Sequence, residues 1–158
     1  MKLLGAALLI FSGLLWGLSR SAELRRRVEL LTDLLRLVRL LSTEIAYSAR
    51  PLPELLQRSP SRFCQKAAER PSFESDPRAA LREAGEELLG DPGDRAMFRD
   101  FAAGLGASGA QGQLEHLELC GALAEARLGE AREACREKQR LYIALGLFGG
   151  LTVCLVAV

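Results

Sequence analysis

AELRRRVELLTDLLRLVRLLSTEIAYS, residues 22–48, carries the clearest structural signal in the chain. Aliphatic residues recur there every seven positions along two seams: Leu24, Leu31, Val38 and Ile45, with Leu34 and Leu41 between them. Seven residues make about two turns of an α-helix, so these side chains share one face. The pattern predicts a long amphipathic helix that Pro51 and Pro53 end, because proline cannot continue a helix.

Shorter helices follow, each marked by a polar residue directly before a proline. The pairs are Ser59-Pro60, Asp76-Pro77 and Asp91-Pro92. Serine and aspartate favour the N-cap position, and proline favours the first helical position. We expect these helices to end near Arg70, Gly90 and Leu105, with Pro71 and Gly106 as stops.

The last helix starts after a turn and is the longest one expected in the soluble region. Ser108 and Gln111 have the spacing of a capping box, and the helix should run from about Gly109 through Arg140. No segment alternates with period two for long, so strands are not expected. The sequence predicts an all-α, antiparallel helical bundle in which the first and last long helices lie side by side.

Two terminal segments, Leu3–Leu18 and Leu141–Val158, contain no charged residue. Their lengths are slightly short for an average bilayer, which can thin locally. We therefore expect transmembrane helices at 1–19 and 141–158 around a bundle at 20–140. Basic residues flank both spans on the bundle side, which predicts that the bundle faces the cytoplasm. They are Arg20, Arg25, Arg26 and Arg27, with Arg132, Arg136, Lys138 and Arg140.

Alternatives exist for both segments. The first has the length of a signal-peptide core, although its basic cluster follows the apolar run instead of preceding it. The second could be a buried core helix. Each segment also holds one GxxxG pattern, which lets helix backbones approach closely. The candidate packing residues are Gly13, Gly17, Gly146 and Gly150.

Charge and cysteine content limit the classes of function. The chain has 21 basic and 20 acidic residues, which argues against a nucleic-acid binder. The charge is unevenly spread, with a basic excess in 20–39 and an acidic excess in 74–100, where a protein partner could bind. The 4 cysteines show no metal-binding spacing, and we expect reduced thiols of a cytosolic domain.

The sequence indicates no catalytic, cofactor or metal site. Gly104-Leu-Gly106-Ala-Ser-Gly109 matches GxGxxG, but a helix precedes it, so an interhelical turn is the interpretation. His116 is the chain's 1 histidine, and we interpret it as structural. The acid pairs Glu86-Glu87 and Glu115/Glu118 lie in polar, solvated stretches. We expect a protein that is not an enzyme.

Several motifs in order resemble one known family. An Arg-rich amphipathic helix follows MKLLGA and an apolar run, and EIAYSARPLPE at 44–54 comes next. Leu105-Gly106 with Gln113, and LYIALGLFGGL at 141–151, complete the series. Together they resemble the stage III sporulation protein AB family of endospore-forming bacteria over essentially the full chain.

This resemblance implies a fold and a function. The bundle would be similar to the cytoplasmic domain of the inner-membrane platform protein of type II secretion and type IV pilus machines. The protein would be a scaffold in the channel complex between mother cell and forespore, located in the mother-cell membrane. Its implied partners are a secretion-type ATPase from the same operon and other channel subunits, and a homo-oligomer is open.

The same resemblance points to a partner-binding turn at the end of the first long helix. Its candidate residues are Glu44, Tyr47, Pro51, Pro53 and Glu54. A helix of about 26 residues is near 40 Å long, which places this turn at the membrane-distal end. The alternative function is a membrane-tethered adaptor or regulator outside any secretion machine.

Overall fold

A computed structural model describes the backbone of residues 2–47 and 50–157, and the side chains of 22–47, 50–138 and 141. The described backbone forms six α-helices and one short 3-10 helix, Pro71–Phe73. The α-helices are α1 Lys2–Tyr47, α2 Leu52–Arg58, α3 Arg62–Ala68, α4 Pro77–Leu88, α5 Pro92–Gly104 and α6 Ala110–Ala157. The described backbone contains no strand, which confirms the all-helical prediction.

The chain divides into two compact units. One consists of residues 1–26 and 130–158, the first part of α1 and the last part of α6. The other is the helical bundle of residues 27–129, which holds every site discussed below.

Among the described residues, none of the helices has an apolar stretch long enough to span a bilayer. The predicted spans 1–19 and 141–158 fall almost entirely on stretches whose side chains lie outside the described residues. The same holds for the four glycines of the GxxxG patterns: Gly13, Gly17, Gly146 and Gly150. Both spans therefore stay predictions.

Within the bundle, α1 and α6 run antiparallel, as the sequence predicted. Arg39 on α1 donates to Glu125 on α6 over 3.0 Å, and an added Cβ at Gly121 would lie 3.6 Å from Val38. Further along α1, Tyr47 lines the same groove as Ala110, the first residue of α6. The seam buries the predicted heptad residues Leu31, Leu34, Val38 and Leu41 together with Leu117, Ala124 and Leu128.

An aromatic cluster fills the space between the shorter helices. The rings of Phe63 and Phe98 have centroids 4.5 Å apart, and those of Phe98 and Phe101 are 5.5 Å apart at a steep angle. All three side chains are buried. Gly85 on α4 faces the Phe98 ring so closely that an added Cβ would lie 2.1 Å from a ring carbon. The missing side chain thus lets α4 pack against α5.

The predicted starts of α4 and α5 are confirmed. The Asp76 carboxylate accepts hydrogen bonds from the first backbone N–H groups of α4, and Asp91 does the same for α5 at 2.9 and 3.1 Å. Each aspartate thereby satisfies N–H groups that have no partner within the helix. The expected glycine stop after α5 is also present, since Gly106 adopts a φ of +71°.

The predicted helix start after Pro51 was wrong, whereas the predicted helix end near Arg70 agrees with α3, which ends at Ala68. Pro51 and Pro53 end α1, but the same prolines begin an unpredicted helix, α2, because a helix tolerates proline in its first turn. Ser59 follows the end of α2 instead of capping the next helix. The cap of α3 is Ser61, whose hydroxyl accepts from the Phe63 N–H at 3.3 Å.

The expected capping box of the last helix is also replaced. The Gln111 side chain points along α6 and donates to Glu115 at 3.1 Å. The turn is instead closed by Gln113, whose amide donates to the Ser108 carbonyl at 2.9 Å. This bond links α6 to the turn before it, but Gln113 acts as a donor where a capping box would supply an acceptor.

Candidate functional site

An open groove of about 550 Å³ lies where the end of α1, the start of α2 and the turn into α6 meet. One side is formed by Ile45, Ala46, Tyr47 and Arg50. The other is formed by Leu52, Leu55, Gly106, Ala110 and Gln113. Its walls mix apolar and polar surface, and Arg50 is the one charged residue among these lining side chains.

Local sequence explains how the groove is built. Pro51 and Pro53 end the first helix and allow a second helix, α2, to begin at once. This places Leu52 in the groove wall. Gly106 turns the chain between α5 and α6 in the left-handed region, where glycine has no steric penalty. An added Cβ at Gly106 would lie only 3.7 Å from a Leu52 methyl group, so the two turns contact each other.

Tyr47 is the most conspicuous side chain at this groove, because 90% of its surface is exposed. A tyrosine brings a large apolar ring and a polar hydroxyl, and such residues contribute strongly to protein interfaces. A fully exposed ring gains little from its own fold, so contact with a partner would bury most of it.

The structure brings only one of the five predicted site residues into the groove lining. Tyr47 lines it, whereas Glu44 is half-buried on α1, and Pro51, Pro53 and Glu54 are exposed beside it. Glu54 lies 3.5 Å from Arg58, its neighbour one turn along α2. Sequence reasoning missed Arg50, Leu52, Gly106 and Gln113 as members of one surface. The sequence feature that could have indicated this surface was the position of Leu52 between two prolines.

A second charged cluster joins α1 to the start of α5. Asp94 is completely buried, and Arg27 binds both of its carboxylate oxygens, Nε at 2.6 Å and a terminal nitrogen at 2.9 Å. Arg27 also approaches Asp91 at 3.7 Å. An added Cβ at Gly93 would lie 2.7 Å from the Arg127 guanidinium. The charges are compensated within the bundle, so this cluster is structural.

His116 is part of the packing between α5 and α6. Its Nε2 lies 3.3 Å from the Phe101 carbonyl oxygen, which can only accept a hydrogen bond, and 3.6 Å from Cys120 Sγ. Burial, reinforced by Asp100, raises the pKa of the Cys120 thiol, so the pair does not form a thiolate nucleophile. The GxGxxG string lies on the end of α5 and the following turn, as interpreted from sequence.

No metal or redox centre is formed by the side chains that the structure describes. Across these residues no three histidine, cysteine or acidic side chains come together in a way that could hold a metal ion. Cys64, Cys120 and Cys135 are free thiols. Burial raises the pKa of Cys64 to about 11, with hydrogen bonds from Ser59 and Ser61 opposing the rise, so this thiol is also unreactive near neutral pH.

Comparison with known proteins gives one family. The family model described as stage III sporulation protein AB matches residues 2–158. No curated protein and no solved structure matches the chain. The family match covers the bundle with its groove, and it also includes both apolar ends of the sequence.

Proposed function

Since the chain belongs to the stage III sporulation protein AB family, we propose that it is a non-enzymatic platform subunit of a sporulation channel complex. In this proposal the bundle couples a secretion-type ATPase, encoded in the same operon, to a channel between mother cell and forespore. Other channel subunits and further copies of the chain would be its neighbours in the membrane.

The exposed ring of Tyr47 carries this proposal. It lies at the groove, in the segment 44–54 on which the family resemblance rests. A soluble partner such as an ATPase needs an apolar anchor surrounded by polar groups, because such anchors supply most of the binding free energy. Tyr47 with Leu52 provides the anchor, and the exposed residues Arg50 and Glu54 provide the polar surroundings.

The proposed absence of catalysis is supported by the state of the reactive side chains. The one histidine packs against the Phe101 carbonyl, and the buried thiols of Cys64 and Cys120 have raised pKa values. General acid–base and nucleophilic catalysis both need a group that titrates near working pH and faces a substrate. These groups instead contribute to packing.

Membrane attachment completes the proposal. The two charge-free terminal segments would span the mother-cell membrane, and the basic residues beside them would stay on the cytoplasmic side. The bundle would then lie in the cytoplasm, where an ATPase has access to nucleotide.

The test is a binding measurement with the full chain in lipid nanodiscs and the ATPase of the same operon. We expect saturable binding that Tyr47→Ala weakens by about tenfold, since truncating an aromatic anchor commonly costs more than 1 kcal/mol. Glu54→Lys should weaken it too. The matched control is Glu118→Lys, an exposed charge reversal outside both the groove and the acidic stretch 74–100, which should leave the dissociation constant within about twofold.

Two other outcomes would contradict the proposal or part of it. Absence of binding by the intact, helical chain would overturn the platform proposal and favour the adaptor or regulator alternative. Binding that is equally weakened by Glu118→Lys and Glu54→Lys would show an unspecific charge effect and remove the groove from the proposal.

A further inference from the structure

We propose that the groove binds a large apolar side chain of its partner together with a neighbouring carboxylate, which Arg50 holds. The inference rests on the proposed function only for the identity of the partner protein. The chemistry of the occupant follows from the groove itself.

The apolar part of the occupant follows from the walls and the size. The half-buried Ile45 and Leu52 supply the aliphatic surface, and the Tyr47 ring stands beside them with most of its area exposed. A volume of about 550 Å³ lies within the range of sites that hold small molecules, so one aromatic or branched side chain fits easily. Covering this surface removes apolar area from water, which favours binding.

The carboxylate follows from the charge of the lining. Arg50 is exposed, and none of the described lining residues is acidic. The nearest candidate acid on α2, Glu54, lies 3.5 Å from Arg58 and does not line the groove. An arginine fork matches the two oxygens of a carboxylate, so Arg50 would orient an acidic residue next to the buried apolar group.

A protein segment fits these features better than a nucleic acid or a phosphorylated peptide. Nucleic acids need several cations in a row, and phosphate groups are usually bound by clusters of arginines. The lining residues of the groove offer a single cation beside apolar and uncharged polar side chains. Its remaining polar groups, the Tyr47 hydroxyl and the Gln113 amide, can hydrogen-bond to a peptide backbone.

A fragment probe tests the chemistry without requiring the ATPase. 3-(4-Fluorophenyl)propionate carries an aromatic ring and a carboxylate, and 3-(4-fluorophenyl)propanamide is its uncharged match. Binding of each to the full chain in nanodiscs is followed by fluorine NMR line width. We expect the acid to bind about fivefold more tightly than the amide, as a partly exposed charged hydrogen bond allows.

The variants locate the binding. Arg50→Gln should remove the preference for the acid and leave amide binding unchanged, whereas Tyr47→Ala should weaken both probes. Arg78→Gln, at an exposed arginine outside the groove, is the matched control and should change neither. Inorganic phosphate should not displace the acid at concentrations equal to that of the probe.

The inference and the proposed function can fail separately. Equal binding of acid and amide, or a preference that survives Arg50→Gln, would overturn the inference even when the ATPase binds. Displacement by phosphate would point to a phosphorylated partner and would also overturn it. An acid preference that depends on Arg50, in a chain that does not bind the ATPase, would support the inference and refute the ATPase as partner.

Discussion

Gly85 shows how the absence of a side chain can determine the spacing of two helices. It lies on α4 opposite Phe98, whose ring is fixed between Phe63 and Phe101. A ring packed on two sides cannot turn away, so any atom added at Gly85 must push α4 from α5. Its cost as a helical glycine is about 1 kcal/mol relative to alanine, and the close packing offsets that cost.

We therefore expect Gly85→Ala to destabilise the bundle by about 1–3 kcal/mol, the usual range for overpacking. The measurement is urea unfolding of the full chain in detergent micelles, followed by circular dichroism. The control is Gly109→Ala, where an added methyl group meets no described atom within 4 Å. Equal stabilities of the two variants would contradict the packing argument.

Cys64 predicts a pH dependence of stability. Burial, the main cause, raises its pKa from 9.0 to about 11. The unfolded chain therefore releases this proton first as the pH rises above 9, and the free energy of unfolding falls until the folded-state pKa near 11 is passed. The free energy of unfolding should fall by a total on the order of 2 kcal/mol. Below the unfolded-state pKa, the contribution of Cys64 to this free energy is constant.

The check compares slopes and not absolute stabilities. Unfolding of the wild type between neutral pH and pH 11 should show a steeper decline than that of Cys64→Ala, which removes the thiol. Cys135→Ala, at a less buried thiol, serves as the control for other groups that titrate in this range. Parallel curves for wild type and Cys64→Ala would refute the assignment.

At the scale of elements, the first turn of α5 is anchored by a cap and by a buried ion pair. Asp91 caps it, and Asp94, three residues later, binds Arg27 of α1 through both oxygens. A buried carboxylate without its cation is costly, because the charge has lost its water and gained nothing in return. The pair therefore fixes α5 on α1.

Breaking this pair should cost much more than breaking an exposed one. We expect Arg27→Ala to destabilise the bundle by roughly 3 kcal/mol, since it strands a buried charge. Arg39→Ala, which removes the exposed pair with Glu125, should cost about 1 kcal/mol or less. Thermal unfolding of both variants is the comparison, and similar melting temperatures would contradict the assigned roles.

Some elements could be predicted from sequence because their signals are local. Asp76 and Asp91 satisfy backbone N–H groups two and three residues away, so the caps of α4 and α5 are visible in a short string. The start of α2 was missed because the same prolines that end α1 also suit a helix start. The presence of the prolines does not show which of these two roles they have, whereas the path of the backbone does.

At the scale of the whole molecule, the buried side chains concentrate along the α1–α6 seam and in the aromatic cluster. Local stability should follow this distribution, since opening a segment costs the contacts that it loses. Amides in 30–41 and 117–128 should exchange hydrogen slowest, whereas α2, with Leu55 and Leu56 as its buried residues, should exchange on the order of tenfold faster or more.

Hydrogen exchange followed by mass spectrometry of the full chain gives this comparison directly. Arg27→Ala provides an internal check, because it should speed exchange in α5 more than in the seam. Equal protection of α2 and the seam would mean that the bundle opens only as one unit.

The groove marks the limit of prediction from this sequence. Tyr47 was found because it stands in a motif, but Gly106 and Gln113 are far from it along the chain. They meet it only because α6 runs antiparallel to α1 and starts beside the end of α1. The α1–α6 pairing was expected because both helices were predicted to emerge from the same membrane face, whereas the register that brings these particular residues together depends on side-chain packing.

The glycines that face large side chains should limit how related sequences can change at these positions. Gly85, Gly93 and Gly104 leave room for Phe98, Arg127 and His116, respectively, on the opposite helix. At each of these contacts the volume is shared by two positions. A lineage that enlarges one partner must shrink the other, so these pairs should covary in size among descendants while the helices keep their spacing.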